Sequence, residues 1–390
     1  MIPLFWPQQF KEEWLRDLAD TFDSRWLGQG PKVDEFEKRF GEKFNCEYCV
    51  AVNSGTSALE LAYTLCDIKE EDEVITPVLT CTATNIPLKR RYASINFADV
   101  SNDLTISYGS VREKISKETS AIVAVSLGGI QIDNRIFRLA REYSVPVIVD
   151  AAQSLGVMAE PSADYICYSF QAIKHFTTGD GGMLVCRNEG DYKRAKKLRW
   201  FGIDREAKKA NDWQWSSDRD ISQDLTMAGY KFHMNDIAAT MGMVGLEHSD
   251  EILAYRKMLC KRYEDNLRGY VNTICGGSFW LFCILVENRD YIMRELRHYG
   301  VECDTIQVRN DIFEVFGGRR RNLPNMDRLE GRYLYLPLNS KVTTQDVDYI
   351  SGRVVQALTR TESYYKECDR CHRLHFIHQT CESSQRIGPL

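Results

Sequence analysis

Short apolar, strand-like runs alternate with helical repeats through the first half of the chain, and this order constrains the fold more than any other feature. Tyr48–Val52, Glu73–Thr76, Ala93–Phe97, Ala121–Ser126 and Val145–Asp150 read as strands. Phe10, Trp14, Leu18 and Phe22 recur every four residues, as do Phe36, Phe40 and Phe44 after Val33, so both stretches read as amphipathic helices. Thr56–Cys66 and Ile136–Tyr143 are further helices, and Tyr165–Phe170 and Gly182–Cys186 read as a strand pair flanking a loop. Strands separated by helices predict an α/β domain with a large, mixed, mostly parallel sheet and helices on both faces.

The pattern changes in the second half. Gly190–Arg199 is a basic helix, and the polar stretch 204–225, with Trp213 and Trp215, reads as an exposed or interface loop. Residues 235–246 are rich in Ala and Gly and suit a tightly packed helix. A smaller α+β unit is expected to follow: helix Ile252–Leu267, strand Trp280–Val286, helix Arg289–Tyr299, a strand near Tyr333–Leu336 and helix Thr344–Leu358. The expected division is an N-terminal arm and large domain over 1–246, a small domain over 247–360, and a poorly packed tail over 361–390.

Composition removes several function classes. Lys and Arg number 50 against 55 Asp and Glu, too even a balance for general nucleic-acid affinity. The apolar runs are strand-length, far short of the roughly 20 residues of a membrane span. Met1–Glu12 has no basic region followed by a long apolar core, so a cytoplasmic chain without a secretory signal is expected. The 13 cysteines scatter through apolar segments (Cys66, Cys167, Cys186, Cys283) and read as reduced, buried thiols.

Three segments at strand–loop or loop–helix junctions carry chemistry. Asn53-Ser54-Gly55-Thr56-Ser57-Ala58-Leu59 enters a helix directly after a strand; the free N–H groups of a helix start bind anions such as phosphate. An ordinary Ser/Thr cap explains the same residues. Asp150, in Val149-Asp150-Ala151-Ala152-Gln153, falls where parallel sheets place their ligands, beyond the carboxyl end of a strand. A helix cap is the competing reading. Lys174 lies in an apolar, aromatic stretch, Ser169-Phe170 through Gly182; burial depresses an amine's pKa and frees it to form a Schiff base. A solvent-exposed loop lysine is the competing reading. A phosphate cradle, a strand-end carboxylate and a lysine in this order are the parts a pyridoxal phosphate enzyme needs. Neither G-x-G-x-x-G after the first strand nor G-x-x-x-x-G-K-[ST] occurs, so nicotinamide and ATP readings lack support.

These landmarks resemble the DegT/StrS family, the fold-type I pyridoxal phosphate aminotransferases acting on nucleotide-linked keto sugars. The resemblance runs from about Phe22 to Leu358. It includes Trp26-Leu27-Gly28-Gln29-Gly30-Pro31, the Asn53–Leu59 segment, Asp72–Pro77, Asp150–Gln153, Ser169–Gly182 and Gly229–Asp236. It implies a fold-type I large domain plus a small C-terminal one, with pyridoxal 5′-phosphate as cofactor. Lys174 is then the Schiff-base lysine and proton shuttle, Asp150 the partner of the pyridine nitrogen and Gln153 the contact to the ring hydroxyl. Ser169, with the Thr56 and Ser57 backbone amides, would hold the phosphate. A homodimer is implied, the segment Tyr230–Asn235 reaching the neighbour's phosphate with Lys231, His233 or Asn235. The implied reaction moves an amino group from L-glutamate to a nucleotide-linked keto sugar, with a lean to 4-keto-6-deoxy sugars, making an amino sugar for glycan or antibiotic-type glycosides.

The sequence departs from the family at Cys81, where an aromatic often stacks on the cofactor ring, and at Ser126-Leu127, where a histidine is usual. Relatives that remove a sugar hydroxyl instead carry histidine in place of the lysine; Lys174 favours transamination over that dehydratase, and over a non-catalytic cofactor-binding regulator. Candidate substrate contacts are His175, Arg309 and Trp200, while Arg319-Arg320-Arg321 reads as a solvated loop or a diphosphate contact. The tail carries Cys368, Cys371, His372, His375, His378 and Cys381, spaced unlike any standard finger, and no metal is expected.

Overall fold

The computed structural model describes residues 1–156, 163–206 and 225–370. Trp213, Trp215 and the tail cysteines and histidines from Cys371 onward lie outside the described residues.

Seven strands form the main sheet: β1 (Tyr48–Val52), β2 (Glu73–Pro77), β3 (Ser94–Ala98), β4 (Thr119–Val125), β5 (Val147–Asp150), β6 (Tyr165–Ser169) and β7 (Gly182–Cys186). Their order is β1-β7-β6-β5-β4-β2-β3, and β7 alone runs antiparallel to its neighbours. Successive residues of a strand face opposite sides. Cys49, Ala51, Val147, Val149, Ile166 and Tyr168 join one core; Val50, Val52, Ile148, Tyr165 and Cys167 join the other. Both faces are therefore apolar, and both are covered by helices.

On the first face lie α2 (Pro31–Phe44), α6 (Asn134–Glu142) and α8 (Asp236–Glu247), with α1 (Lys11–Asp23) packed on α8, where the Thr21 and Thr240 hydroxyls meet at 2.9 Å; α3 (Gly55–Leu65) and α7 (Glu189–Leu198) cover the second. The small residues of α8 have the expected use. A Cβ on Gly245 would sit 2.6 Å from the Phe176 ring, and one on Gly242 2.8 Å from Phe36, so the helix approaches closer than larger side chains allow. Two short helices, α4 (Thr82–Arg90) and α5 (Tyr108–Lys114), were not anticipated. In α4, Pro87 sits inside the helix, where it lacks the N–H of a regular turn and hides the helical pattern.

After α8, α9 (Ser249–Leu267) leads into a second unit. Its antiparallel sheet has the order β10-β9-β8, from β8 (Asn272–Ile274), β9 (Phe282–Leu285) and β10 (Tyr333–Leu336). It packs with α10 (Arg289–His298) and α12 (Thr344–Arg370); α11 (Pro324–Leu329) precedes β10.

Residues 1–5 run between the two units: Ile2 bridges Val301, Leu4 N–H donates to Glu302 and Asn339 donates to the Pro3 carbonyl, while the Leu4 side chain shares a core with Val78, Leu79 and Phe97 of the large domain. Two expectations need correction. The helix α12 continues to Arg370, so 361–370, assigned to a tail, is helical. Cys260 and Cys275 are joined in a disulfide, where reduced thiols were expected; Cys66, Cys167, Cys186 and Cys283 are free.

Asp236, the first residue of α8, also caps α2. Its carboxylate accepts from the N–H groups of Gly30 (2.7 Å), Lys32 and Val33 (both 3.2 Å), which are all the donors of this helix start, since Pro31 between them has no N–H. Asp236→Ala is expected to lower stability by about 2–4 kcal/mol in urea unfolding, because buried donors lose a charged acceptor.

Candidate active site

The carboxyl edge of the parallel strands gathers the chemically distinctive residues. At the end of β5, Asp150 is buried. Its Oδ2 accepts from the Thr84 hydroxyl (2.7 Å) and its Oδ1 from the Ala152 N–H (3.0 Å). Because Thr84 gives its proton to Asp150, its 2.8 Å contact with Thr80 makes Thr80 the donor there. Burial raises the Asp150 pKa, opposed by these two donors and by the charge of Lys174.

Lys174 stands in a compact loop after β6. Its N–H donates to the Gln171 carbonyl (2.9 Å), and Thr178 N–H returns to Phe170 (3.0 Å). The half-buried amine lies 4.2 Å from the centre of the Trp280 ring. Burial lowers its pKa to about 8, opposed by Asp150 and Cys81. Cys81 opens α4 beside this pair, half-exposed and free. Gln153 is buried, its side-chain oxygen accepting from Gly128 N–H (2.7 Å), which leaves its NH2 as the remaining donor.

The start of α3 lies against the ends of β6 and β7. A Cβ on Gly55 would sit 2.8 Å from the Ser169 Cβ, and one on Gly182 2.5 Å from the Ser54 carbonyl oxygen. Glycine at both positions lets the strand ends meet the helix start, which brings Ser169 beside the first-turn amides. One expectation changes here. The Ser57 N–H donates to the Ser54 hydroxyl (3.0 Å), and the Ser57 hydroxyl donates to Asn53 (2.6 Å). Ser57 therefore serves the helix cap, and the N–H groups of Gly55 and Thr56 are the first-turn donors outside it.

Beside that helix start, Asn53 N–H donates to the Phe232 carbonyl (2.7 Å) and Val52 bridges His233. Lys231 is exposed, its amine 4.2 Å from the Trp200 ring centre, and the His233 ring lies 4.1 Å from the same ring. Burial, then Lys231, Arg205 and Arg199, push the His233 pKa down to about 4, so its imidazole is neutral at pH 7. Asn235 caps α8 by accepting from Ala238 N–H (2.8 Å), which leaves Lys231 and His233 as the polar side chains of this segment outside the cap. Trp200 is their packing partner and joins this group rather than the Lys174 group.

Two expected substrate contacts are structural instead. His175 is buried and donates from Nε2 to the Ser278 carbonyl (2.8 Å), joining the large domain to the small unit; burial holds it neutral. The Arg309 side chain is fully buried. It pairs with Asp311 (2.6 Å), Asp327 and Glu330 (3.3 Å), and Arg319 pairs with Glu330 (2.8 Å). Buried guanidinium groups keep company with carboxylates because an unpaired charge there is costly.

Trp280, Ser278 and Thr84 were not singled out from sequence. The first two come from the small unit, more than a hundred residues from Lys174, with no local motif to flag them. Thr84 sits four residues after Thr80, one helical turn away, a spacing that offered a signal. Among the described residues no group of three or more His, Cys, Asp or Glu could hold a metal ion.

Residues 8–355 match the family model of the DegT/DnrJ/EryC1/StrS aminotransferase family. The chain is 27% identical over 365 residues to the GDP-perosamine synthase of Escherichia coli O157:H7, covering 90% of this chain and 96% of that protein. It superposes on the sugar aminotransferase CalS13 of Micromonospora echinospora with a TM-score of 0.83 at 29% identity, covering 91% of this chain and 100% of the other. Spr1654 of Streptococcus pneumoniae, solved in its PMP form, gives 0.84 at 25% identity over 94% and 100%.

Arg309→Met leaves Asp311 buried without its cation. A loss of about 3–5 kcal/mol is expected in urea unfolding, with KM for sugar and amino donor within about threefold in the folded protein.

Proposed function

We propose, for a chain that belongs to the DegT/DnrJ/EryC1/StrS aminotransferase family, that it transfers the amino group of L-glutamate to a nucleotide-linked 4-keto-6-deoxy sugar. The observation that carries this reading is the pairing of a half-buried amine, Lys174, with a buried carboxylate, Asp150, beside a helix start that presents free N–H groups. Pyridoxal 5′-phosphate, when bound, supplies an aldehyde and an electron-withdrawing ring that stabilises negative charge on the reacting carbon.

The residues present fit that group. Asp150, buried and short of positive partners, suits a protonated ring nitrogen and keeps its proton in place. The Gln153 NH2 suits the ring oxygen. Ser169 and the N–H groups of Gly55 and Thr56 suit the phosphate, since a helix start favours an anion. Lys231 adds a cation and His233 a neutral donor; in a homodimer they would serve the neighbouring subunit's phosphate. Lys174, with a pKa near 8, takes a proton from the amino donor's α-carbon and later returns one to the sugar carbon. Thr84 holds the Asp150 carboxylate in its orientation throughout.

The position of His175 supports transamination over sugar dehydration. A dehydratase needs its histidine where Lys174 stands, and His175 is buried and committed to Ser278. Among the described residues no helix is long and apolar enough to cross a membrane. We place the reaction in the cytoplasm, where nucleotide sugars are made, with the product entering glycan or glycoside synthesis.

The test is the visible spectrum of cofactor-loaded protein before and after L-glutamate. A change that reverses on adding the keto sugar supports the reading; an unchanged spectrum overturns the glutamate assignment. Lys174→Ala is expected to cut turnover by at least about a thousandfold with little change in melting temperature. A second expectation follows from the lowered lysine pKa. Below pH 8 the amine is mostly protonated and cannot attack an aldehyde. The rate of cofactor uptake by the cofactor-free protein therefore rises about tenfold per pH unit toward pH 8 and then levels off, as followed by stopped-flow absorbance.

A further inference from the structure

We propose that Trp280 is a catalytic-site residue: the face of its indole is the wall against which the Lys174 amine rests, and it steadies that amine in its ammonium form. The proposal rests on the reading of Lys174 as the group that moves the proton.

Three observations carry it. The Lys174 Nζ lies 4.2 Å from the ring centroid, inside the roughly 6 Å at which a cation feels an aromatic face. The indole cannot swing away: it is 2% exposed, and its Nε1–H donates to the Ile173 carbonyl at 3.1 Å, the residue next to Lys174. Its own carbonyl accepts from Arg256 (3.1 Å), and its ring packs on Phe5 at 5.6 Å. The wall is thus tied to the backbone that carries the lysine, and both keep one relation.

The chemistry suits a proton carrier. Such a group must hold a proton and then release it. A buried carboxylate in direct contact would grip the ammonium and compete for its proton. An aromatic face attracts the cation yet offers no lone pair that takes the proton. The charged or titratable groups facing Lys174 are Asp150 from the end of β5 and Cys81 from the start of α4, both favouring the ammonium, while burial opposes it. His175, the next residue, is neutral. The indole adds stabilisation from the side where it also keeps water away.

The test reads Lys174 directly, without turnover. Competitive acetylation of the cofactor-free protein across a pH series, read at the Lys174 peptide by mass spectrometry, gives the amine's titration midpoint. Loss of the aromatic face is expected to lower that midpoint by about half to one pH unit in Trp280→Leu and by less in Trp280→Phe. The lysine limb of the kcat–pH profile should move the same way, with KM for both substrates within about threefold. The unmutated chain grown with fluorinated tryptophan keeps the indole's shape and weakens its face. It should shift Lys174 in the same direction, and it decides the matter if either variant does not fold. In Trp280→Leu and Trp280→Phe, Lys231, whose amine lies 4.2 Å from the unchanged Trp200 ring, is the internal control and keeps its midpoint. A Lys174 midpoint that stays or rises in the fluorinated protein overturns the proposal. So does a uniform loss of kcat with the pH limb in place, which is what a packing role alone would give. Lys174→Arg separates the two levels. Turnover surviving in that variant removes the functional reading itself; a dead Lys174→Arg, together with a Lys174 midpoint that stays in place in Trp280→Leu and in the fluorinated protein, removes only the role of Trp280.

Discussion

A carboxylate held out of water at the end of β5 sets the terms for the rest of the site. Ionised, Asp150 loses its hydration, and the structure replaces that hydration with the Thr84 hydroxyl, the Ala152 N–H and the nearby Lys174 charge. Each comes from a different segment, so the carboxylate also fixes where those segments meet. The chain of contacts continues outward. Thr80 donates to Thr84, the Asn310 NH2 donates to the Thr80 carbonyl (2.7 Å), and Asn85 donates to Asn310 (2.9 Å). A loop from the second unit is thereby attached to the group that most needs to be held still. What remains unbalanced is charge. Burial raises the carboxylate's affinity for a proton, and a cationic ring nitrogen is the kind of partner that removes that excess.

How far the sequence could be read depends on the distance between a residue and what decides its role. The strands and the long helices were legible because their apolar spacing is local. The positions of Asp150, Lys174 and Ser169 at or just beyond strand ends were legible for the same reason: each lies within a short run of characteristic neighbours. Arg309 and His175 were misjudged because their partners decide their roles. Arg309 meets Asp327 and Glu330 across a fold of the late loop, and His175 meets Ser278 at a sequence separation of 103. A positive or titratable side chain near a motif looks functional until a buried partner claims it. Ser57 erred in a subtler way. The helix start was identified, but the cap consumed one of the amides assigned to an anion, and only coordinates separate the two uses.

The small unit contributes more to the site than its place late in the chain suggests. The turn before β9 carries Ser278 and Trp280. Ser278 N–H donates to the Gly129 carbonyl (3.1 Å), and its hydroxyl donates to the Gln153 carbonyl (3.0 Å). A Cβ on Gly129 would fall 2.1 Å from that hydroxyl, and Gly129 has a φ of +90°, so both space and backbone conformation call for glycine there. Behind the turn, α9 holds it at two points one helical turn apart: Arg256 donates to the Trp280 carbonyl, and Cys260 is bonded to Cys275. Rotating the two units about this seam would break several buried hydrogen bonds, each worth about 0.5–1.5 kcal/mol and more if a partner is stranded. Closure over a substrate is therefore better sought in loops or in a neighbouring subunit than in this contact. A fixed seam suits the chemistry, because a transaminase returns one amine to the same place in both halves of its reaction. Positioning of that kind is effective only while the amine, its carboxylate and the surrounding wall keep one geometry.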